Sequence, residues 1–186
     1  VAHNSQIVTD VGSESEVVPT YTNPRTTSQY IYGYKKGYPV NAIWGYQYEG
    51  VWHSDADIEY NKITRAYVSQ SQSPKMGHPR YADVNHDGLL DQNDMVYLGS
   101  SDPVIYGGLQ NNFIIGKGLT LGVYFTYSLG GYIYNISELY AGSGTSSYNK
   151  HKFMLGAWTE ENQTSDICKA GYDDSLASSK SVYDAS

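Results

Sequence analysis

The stretch Asp83-Val84-Asn85-His86-Asp87-Gly88-Leu89-Leu90-Asp91-Gln92-Asn93-Asp94 sets oxygen-bearing side chains at alternate positions, then a glycine and two leucines. Such donors suit a hard cation. Calcium takes roughly six to eight oxygens, and an EF-type loop supplies them from positions 1, 3, 5, 7, 9 and 12, with glycine at position 6 for the sharp turn. Counted from Asp83, the ligands are Asp83, Asn85, Asp87, the backbone carbonyl of Leu89, Asp91 and Asp94, and the turn glycine is Gly88. Asp94 stands where an EF-hand carries Glu, so a bidentate reach from it demands a tighter loop. Leu90 is expected to pin the loop to an apolar interior. Without a metal, the same residues would make a surface loop of Asx turns.

An EF-hand also needs a helix on each side. Arg80-Tyr81-Ala82 before the loop and Met95-Val96-Tyr97-Leu98-Gly99 after it read as extended. The loop is therefore expected to be a structural calcium clip on an exposed connection, not a switch between two helices.

Other chemistries find little support. The five histidines, His3, His53, His78, His86 and His151, are scattered, with no pair at metal-ligand spacing on one helical face. The carboxylate pairs Asp55/Asp57 and Asp173/Asp174 read as solvated loop residues. No G-x-S-x-G stretch occurs. The expectation is that the chain is not an enzyme. A single cysteine, Cys168, excludes an intramolecular disulfide framework and a cysteine-rich zinc site. Asn135-Ile136-Ser137 and Asn162-Gln163-Thr164 fit the glycosylation pattern, which carries little weight alone.

The chain has 186 residues, 40% of them hydrophobic and only 17% charged, which argues for a packed core. Twenty tyrosines stand against three phenylalanines. Tyrosine joins a large apolar face to a polar tip and suits strands and wet interfaces. A net charge of −7, from 12 basic and 19 acidic residues, leaves no basic stripe and argues against nucleic acid. The first residue is not Met and no terminating element closes the sequence, so a piece of a longer protein is expected.

Residues 1–29 read as irregular. Residues 30–52 read as short aromatic strands, with Trp44, Tyr46 and Tyr48 on one face and Ile43 and Gln47 on the other. Ser54 and Asp57 predict a short helix over 55–62. Residues 67–80 read as loop. Residues 104–130 give the clearest period. Leu119, Leu121, Val123, Phe125, Tyr127 and Leu129 alternate with Thr120, Gly122, Tyr124, Thr126 and Ser128. The preceding run, with Gln110 and Asn112 on one face, reads as its hairpin partner across Gly116-Lys117-Gly118. A strand of about 9–11 residues suits a membrane β-strand better than a soluble sandwich. A second short helix is predicted near Tyr148 to Trp158.

These residues together resemble the C-terminal part of SusC-like (RagA-like) TonB-dependent outer-membrane transporters. The resemblance rests on a D-x-N-x-D-G-x-(I/L)-x-x-x-D loop at Asp83 to Asp94, followed by G-x-x-x-P at Gly99 to Pro103. It continues through Y-G-(G/L)-x-N-x-F, which Tyr106 to Phe113 approximates, and the long alternating strand Leu119 to Leu129. Gly37 to Trp52 and Ala157 to Ile167 resemble two further segments. Where the family continues with Pro and a basic residue, this chain has Cys168 and Lys169.

The resemblance implies an all-β fold, part of a large transmembrane antiparallel β-barrel. One long membrane hairpin would cover residues 104–130. Residues 1–103 and 131–186 would be long extracellular loops with short strands and one or two short helices. It also implies a bacterial outer-membrane location in contact with lipid, a SusD-like surface lipoprotein as partner, and import of glycan or peptide cargo. Energy would come from the TonB complex through parts of the protein outside this chain. Within the loops, Tyr30, Tyr32, Tyr34, Trp44, Tyr46, Tyr48 and Trp52 could stack on cargo or partner, though most are expected to be cross-strand packing pairs. The competing reading is a soluble, secreted, calcium-stabilised carbohydrate-binding module, which leaves the long alternating hairpin unexplained.

Overall fold

The computed structural model describes residues 2–3, 6–12, 17–24, 29–60, 75–142, 147–171 and 178–184. The chain is mostly strand. In order come β1 (Ala2–His3), β2 (Val18–Thr22), β3 (Tyr30–Tyr34), β4 (Ala42–Gly45) and β5 (Tyr48–Val51). The helix α1 (Asp55–Tyr60) leads to β6 (Pro79–Tyr81), β7 (Val96–Ser100), β8 (Ile105–Ile115) and β9 (Leu119–Leu129). Then follow β10 (Tyr132–Tyr134), α2 (Ile136–Ala141) and β11 (Val182–Asp184). Single 3-10 turns lie at Gln92–Asp94, Lys152–Gly156 and Ser179–Ser181. Among the described residues no helix is long and apolar enough to cross a membrane, which says nothing about strands.

The strands form four small sheets, ordered β1-β8-β9, β2-β3-β4-β7, β5-β6 and β10-β11. In the second of these, β4 reaches past the acidic loop to pair with β7, with an irregularity between Ile43 and Trp44. Alternation along β4 sorts its side chains into two cores. Ala42 and Trp44 join Tyr30, Tyr46, Tyr81, Leu90 and Met95. Ile43 joins Ile31 and Tyr134. Trp44 also donates its indole N–H to the carbonyl of Gly33 at 2.9 Å, so its one polar atom is satisfied in the core. A third core holds Val51, Trp158 and Cys168. The end of β2 and the start of β3 are linked by two buried amides. The Asn23 side chain donates to Gln29 Oε1 at 2.7 Å, and its backbone N–H donates to the Gln29 carbonyl at 2.8 Å.

The helix predicted over 55–62 is present as α1. Ser54 Oγ accepts the N–H of Asp57 at 3.1 Å as an N-cap, and residues 61 and 62 lie outside the described set. Most of the loop expected over 67–80 also lies outside it, apart from residues 75–80, which turn into β6. The helix predicted between Tyr148 and Trp158 is replaced by the short 3-10 turn at Lys152–Gly156. His151 offers it no side-chain cap, and Leu155, expected on the packed face, is exposed. The helix α2 was not expected. Its signal is Asn135, whose side chain accepts the N–H of Ser137 at 3.1 Å, followed three residues on by Glu138.

Candidate functional site

Two features can do physical work, the acidic loop and the long hairpin. The loop leaves β6 after Tyr81 and returns to β7 at Val96. Tyr81 and Met95 at its ends and Leu90 within it are all buried in the first core, so both ends and the middle are anchored. Between the anchors the backbone turns on itself. His86 has φ of 60° and Gly88 of 81°; the first is uncommon for a residue with a side chain, and the second suits glycine.

Side-chain oxygens fasten this turn. Asp83 Oδ2 accepts the N–H of Gly88 at 2.8 Å. Asn85 Oδ1 accepts the N–H of Asp87 at 3.0 Å, and Asp87 Oδ1 accepts that of Leu89 at 2.8 Å. Asn85 Nδ2 also donates to Asp87 Oδ2 at 2.8 Å. Asp91 caps the 3-10 turn, accepting from Asn93 N at 2.7 Å and from Asn93 Nδ2 at 3.1 Å. Asp94 is fully buried. Its Oδ1 accepts from Val84 N at 2.9 Å and from Asn85 N at 3.4 Å, and its Oδ2 accepts from Asp91 N at 2.9 Å. It therefore ties the first residues of the loop to the last. The phenol of Tyr46 lies against this region. Burial first, and then the charges of Asp94 and Asp91, raise its pKa well above the ordinary tyrosine value.

One atom stands apart. Asp83 is only 4% exposed, and its Oδ1 has no hydrogen-bond partner among the described residues. Also among the described residues, no three His, Cys, Asp or Glu side chains are gathered as a metal cluster.

The seven aromatics named from sequence are divided by burial. Tyr30, Trp44, Tyr46 and Trp52 are buried. They pack against neighbours. Trp44 meets Tyr38 at 5.0 Å between ring centres, and Tyr46 meets Tyr81 at 5.8 Å. Trp52 lies under the Arg80 guanidinium at 5.4 Å. Tyr32 is half-buried, edge-on to Tyr21. Tyr48 donates its hydroxyl to the Asp166 carbonyl at 2.7 Å. Tyr34 is exposed. Their alternation was legible, but their burial depends on β7 and the acidic loop, which are distant in sequence.

The hairpin is regular. β8 and β9 pair from Ile105↔Leu129 to Ile115↔Leu119 without a slip, and Gly116, with φ of 66°, starts the turn. At about 3.4 Å per residue each strand is roughly 37 Å long, and tilted by about 45° it rises roughly 26 Å. That matches the apolar band of about 25 Å on membrane barrels. Ile105, Leu109, Phe113, Ile115, Leu119, Leu121, Phe125 and Leu129 share one face and are all exposed. The other face carries Tyr106, Gly108, Gln110, Asn112, Thr120, Gly122, Tyr124, Thr126 and Ser128, with Ile114 as its one aliphatic residue. An exposed apolar strip this long needs a cover.

No family model matches the chain. Two proteins of Formosa agariphila do. "TonB-dependent receptor P26" is 30% identical over 137 residues, covering 74% of this chain and 13% of that protein. "TonB-dependent receptor P3" is 28% identical over 152 residues, covering 82% of this chain and 14% of that protein. The chain thus spans about one seventh of the curated relatives it matches.

Proposed function

The chain belongs to the TonB-dependent receptors as a segment of one, and from that premise we propose that it is a wall-and-loop segment of a bacterial outer-membrane importer. Residues 104–130 form the membrane hairpin. Residues 1–103 and 131–186 form the extracellular layer above it. The observation that carries this reading is the unbroken eleven-residue pairing of β8 and β9, with one face that is apolar and largely exposed but for Asn111 at its middle. Lipid covers that face. The polar face lines the interior of the barrel.

Within that class the receptor is SusC-like. The Asp83–Asp94 loop, the Gly99-to-Pro103 step, the hairpin and the Ala157-to-Ile167 segment support this, since they occur in the order that marks such proteins. A SusD-like surface lipoprotein is then its extracellular partner. The cargo is an oligosaccharide or a peptide, and the TonB complex energises import through parts of the receptor outside this segment. The segment itself catalyses no reaction in this reading.

The membrane assignment is tested on the whole receptor in vesicles. Single cysteines at 109, 113, 121 and 125, and at 110, 112, 124 and 126, are labelled with a fluorophore. Lipid-borne quenchers are expected to dim the first set, and aqueous quenchers the second. Water access to both sets alike would defeat the assignment.

A further inference from the structure

We propose that the Asp83–Asp94 loop is a calcium site with an altered division of labour: Asp83, Asn85, Asp87 and the Leu89 carbonyl meet the ion, while Asp94 acts as a clamp that holds the loop closed. The proposal rests on the loop alone, and its test reads metal rather than lipid, so it stands or falls apart from the receptor reading.

The orphaned oxygen of Asp83 is the starting point. A carboxylate that is 4% exposed, with one oxygen lacking any partner among the described residues, is costly unless something positive meets it. Its other oxygen takes the N–H of Gly88 across the turn, so the group is fixed inward on the loop. Arg80, three residues before it in sequence, is engaged with Glu49 at 3.3 Å and Asp57 at 3.6 Å. A bound cation would satisfy Asp83.

The neighbouring donors set the class of cation. Asn85 Oδ1 and both oxygens of Asp87 accept only N–H hydrogens, and each keeps a further lone pair. The donors are all hard oxygens on a turning backbone. Calcium accepts such irregular sets, while magnesium demands a near-octahedral cage and gives up water reluctantly. Asp91 caps the 3-10 turn and stands at position 9, where such loops frequently meet the ion through water. A set built from a carbonyl, an amide, two carboxylates and water need not gather three acidic side chains at one point, which agrees with their separation here.

Asp94 departs from the EF-type pattern. It is fully buried, and its carboxylate accepts three backbone N–H groups, from Val84, Asn85 and Asp91. Position 12 is thereby committed to the polypeptide. This also accounts for Asp in place of Glu, since the shorter side chain reaches the loop's own amides. The prediction is a loop whose closure is built in and whose ion is an added fastening.

The test uses the whole receptor purified in detergent, with calcium chloride as titrant, followed by calorimetric binding and by melting with and without EGTA. The parent is expected to bind calcium and to melt higher with it. Asp83→Asn is expected to lose affinity about tenfold or more, with its melting in EGTA little changed. Asp87→Asn, at an exposed position, is a second variant with the same expected direction should the first fail to fold. Asp94→Asn is expected to melt lower both in calcium and in EGTA. Calcium affinity unaltered in both Asp83→Asn and Asp87→Asn would overturn the site. Magnesium bound as tightly as calcium would overturn the choice of ion. An Asp94→Asn variant whose melting falls only in calcium would overturn the clamp and return Asp94 to the ligands.

Discussion

Tyr183 donates its phenol hydrogen to Glu138, and this bond joins β11 to α2. The bond, then burial and the Glu138 charge, push the phenol pKa from 10.0 up to about 12. The folded protein therefore keeps a proton that the unfolded chain gives up. The stability this confers is complete below pH about 10 and is lost as pH rises toward about 12. An alkaline melting series should show a fall across that window, and Tyr183→Phe should flatten it. A fall of equal size in Tyr183→Phe would assign the effect to other groups. An aromatic side chain in a strand is a weak pointer to a ligand, because the same ring is wanted by the core.

The hairpin gives the sharpest prediction among the elements. A cationic side chain in the middle of a barrel's lipid face costs about 2–4 kcal/mol, while the interior face tolerates one. Phe125→Arg should therefore lower folding stability in vesicles by about that amount, and Gln110→Arg should change it little. Urea titration of the whole receptor in vesicles measures both, and equal losses would contradict the facing of the two strands. This element was legible in sequence because its period of two, clearest in β9, runs through residues paired with near neighbours. The acidic loop was legible for the same reason, since its alternating oxygen-bearing side chains and the turn at Gly88 are local. The pairing of β4 with β7 was not, because it joins segments about fifty residues apart in sequence across the loop. The helix α2 was missed although Asn135 and Glu138 signalled it. The helix expected near Tyr148 failed because spacing alone, without a cap, did not secure it.

At the scale of the molecule, three buried cores lie outside the hairpin, while the hairpin offers both faces to its surroundings. A layer with its own cores can hold a fixed surface above a membrane and so present it to a second protein. The SusC-like reading predicts that the whole receptor, extracted gently from its native membrane, brings with it one surface lipoprotein in near-equal amount. Mass spectrometry of the purified complex checks this. A receptor that purifies alone from cells in which such a lipoprotein is made would remove the SusC-like reading, while leaving the membrane segment in place.

One property of the hairpin reaches beyond its geometry. Between Val104 and Gly130 the only charged residue is Lys117, at the tip of the turn. A voltage acts on a protein through the charges it can move, at about 2.3 kcal/mol per elementary charge for each 100 mV. With none along its two strands, this part of the wall is electrically silent. In the receptor reading, a membrane potential finds no charge along these strands to act on.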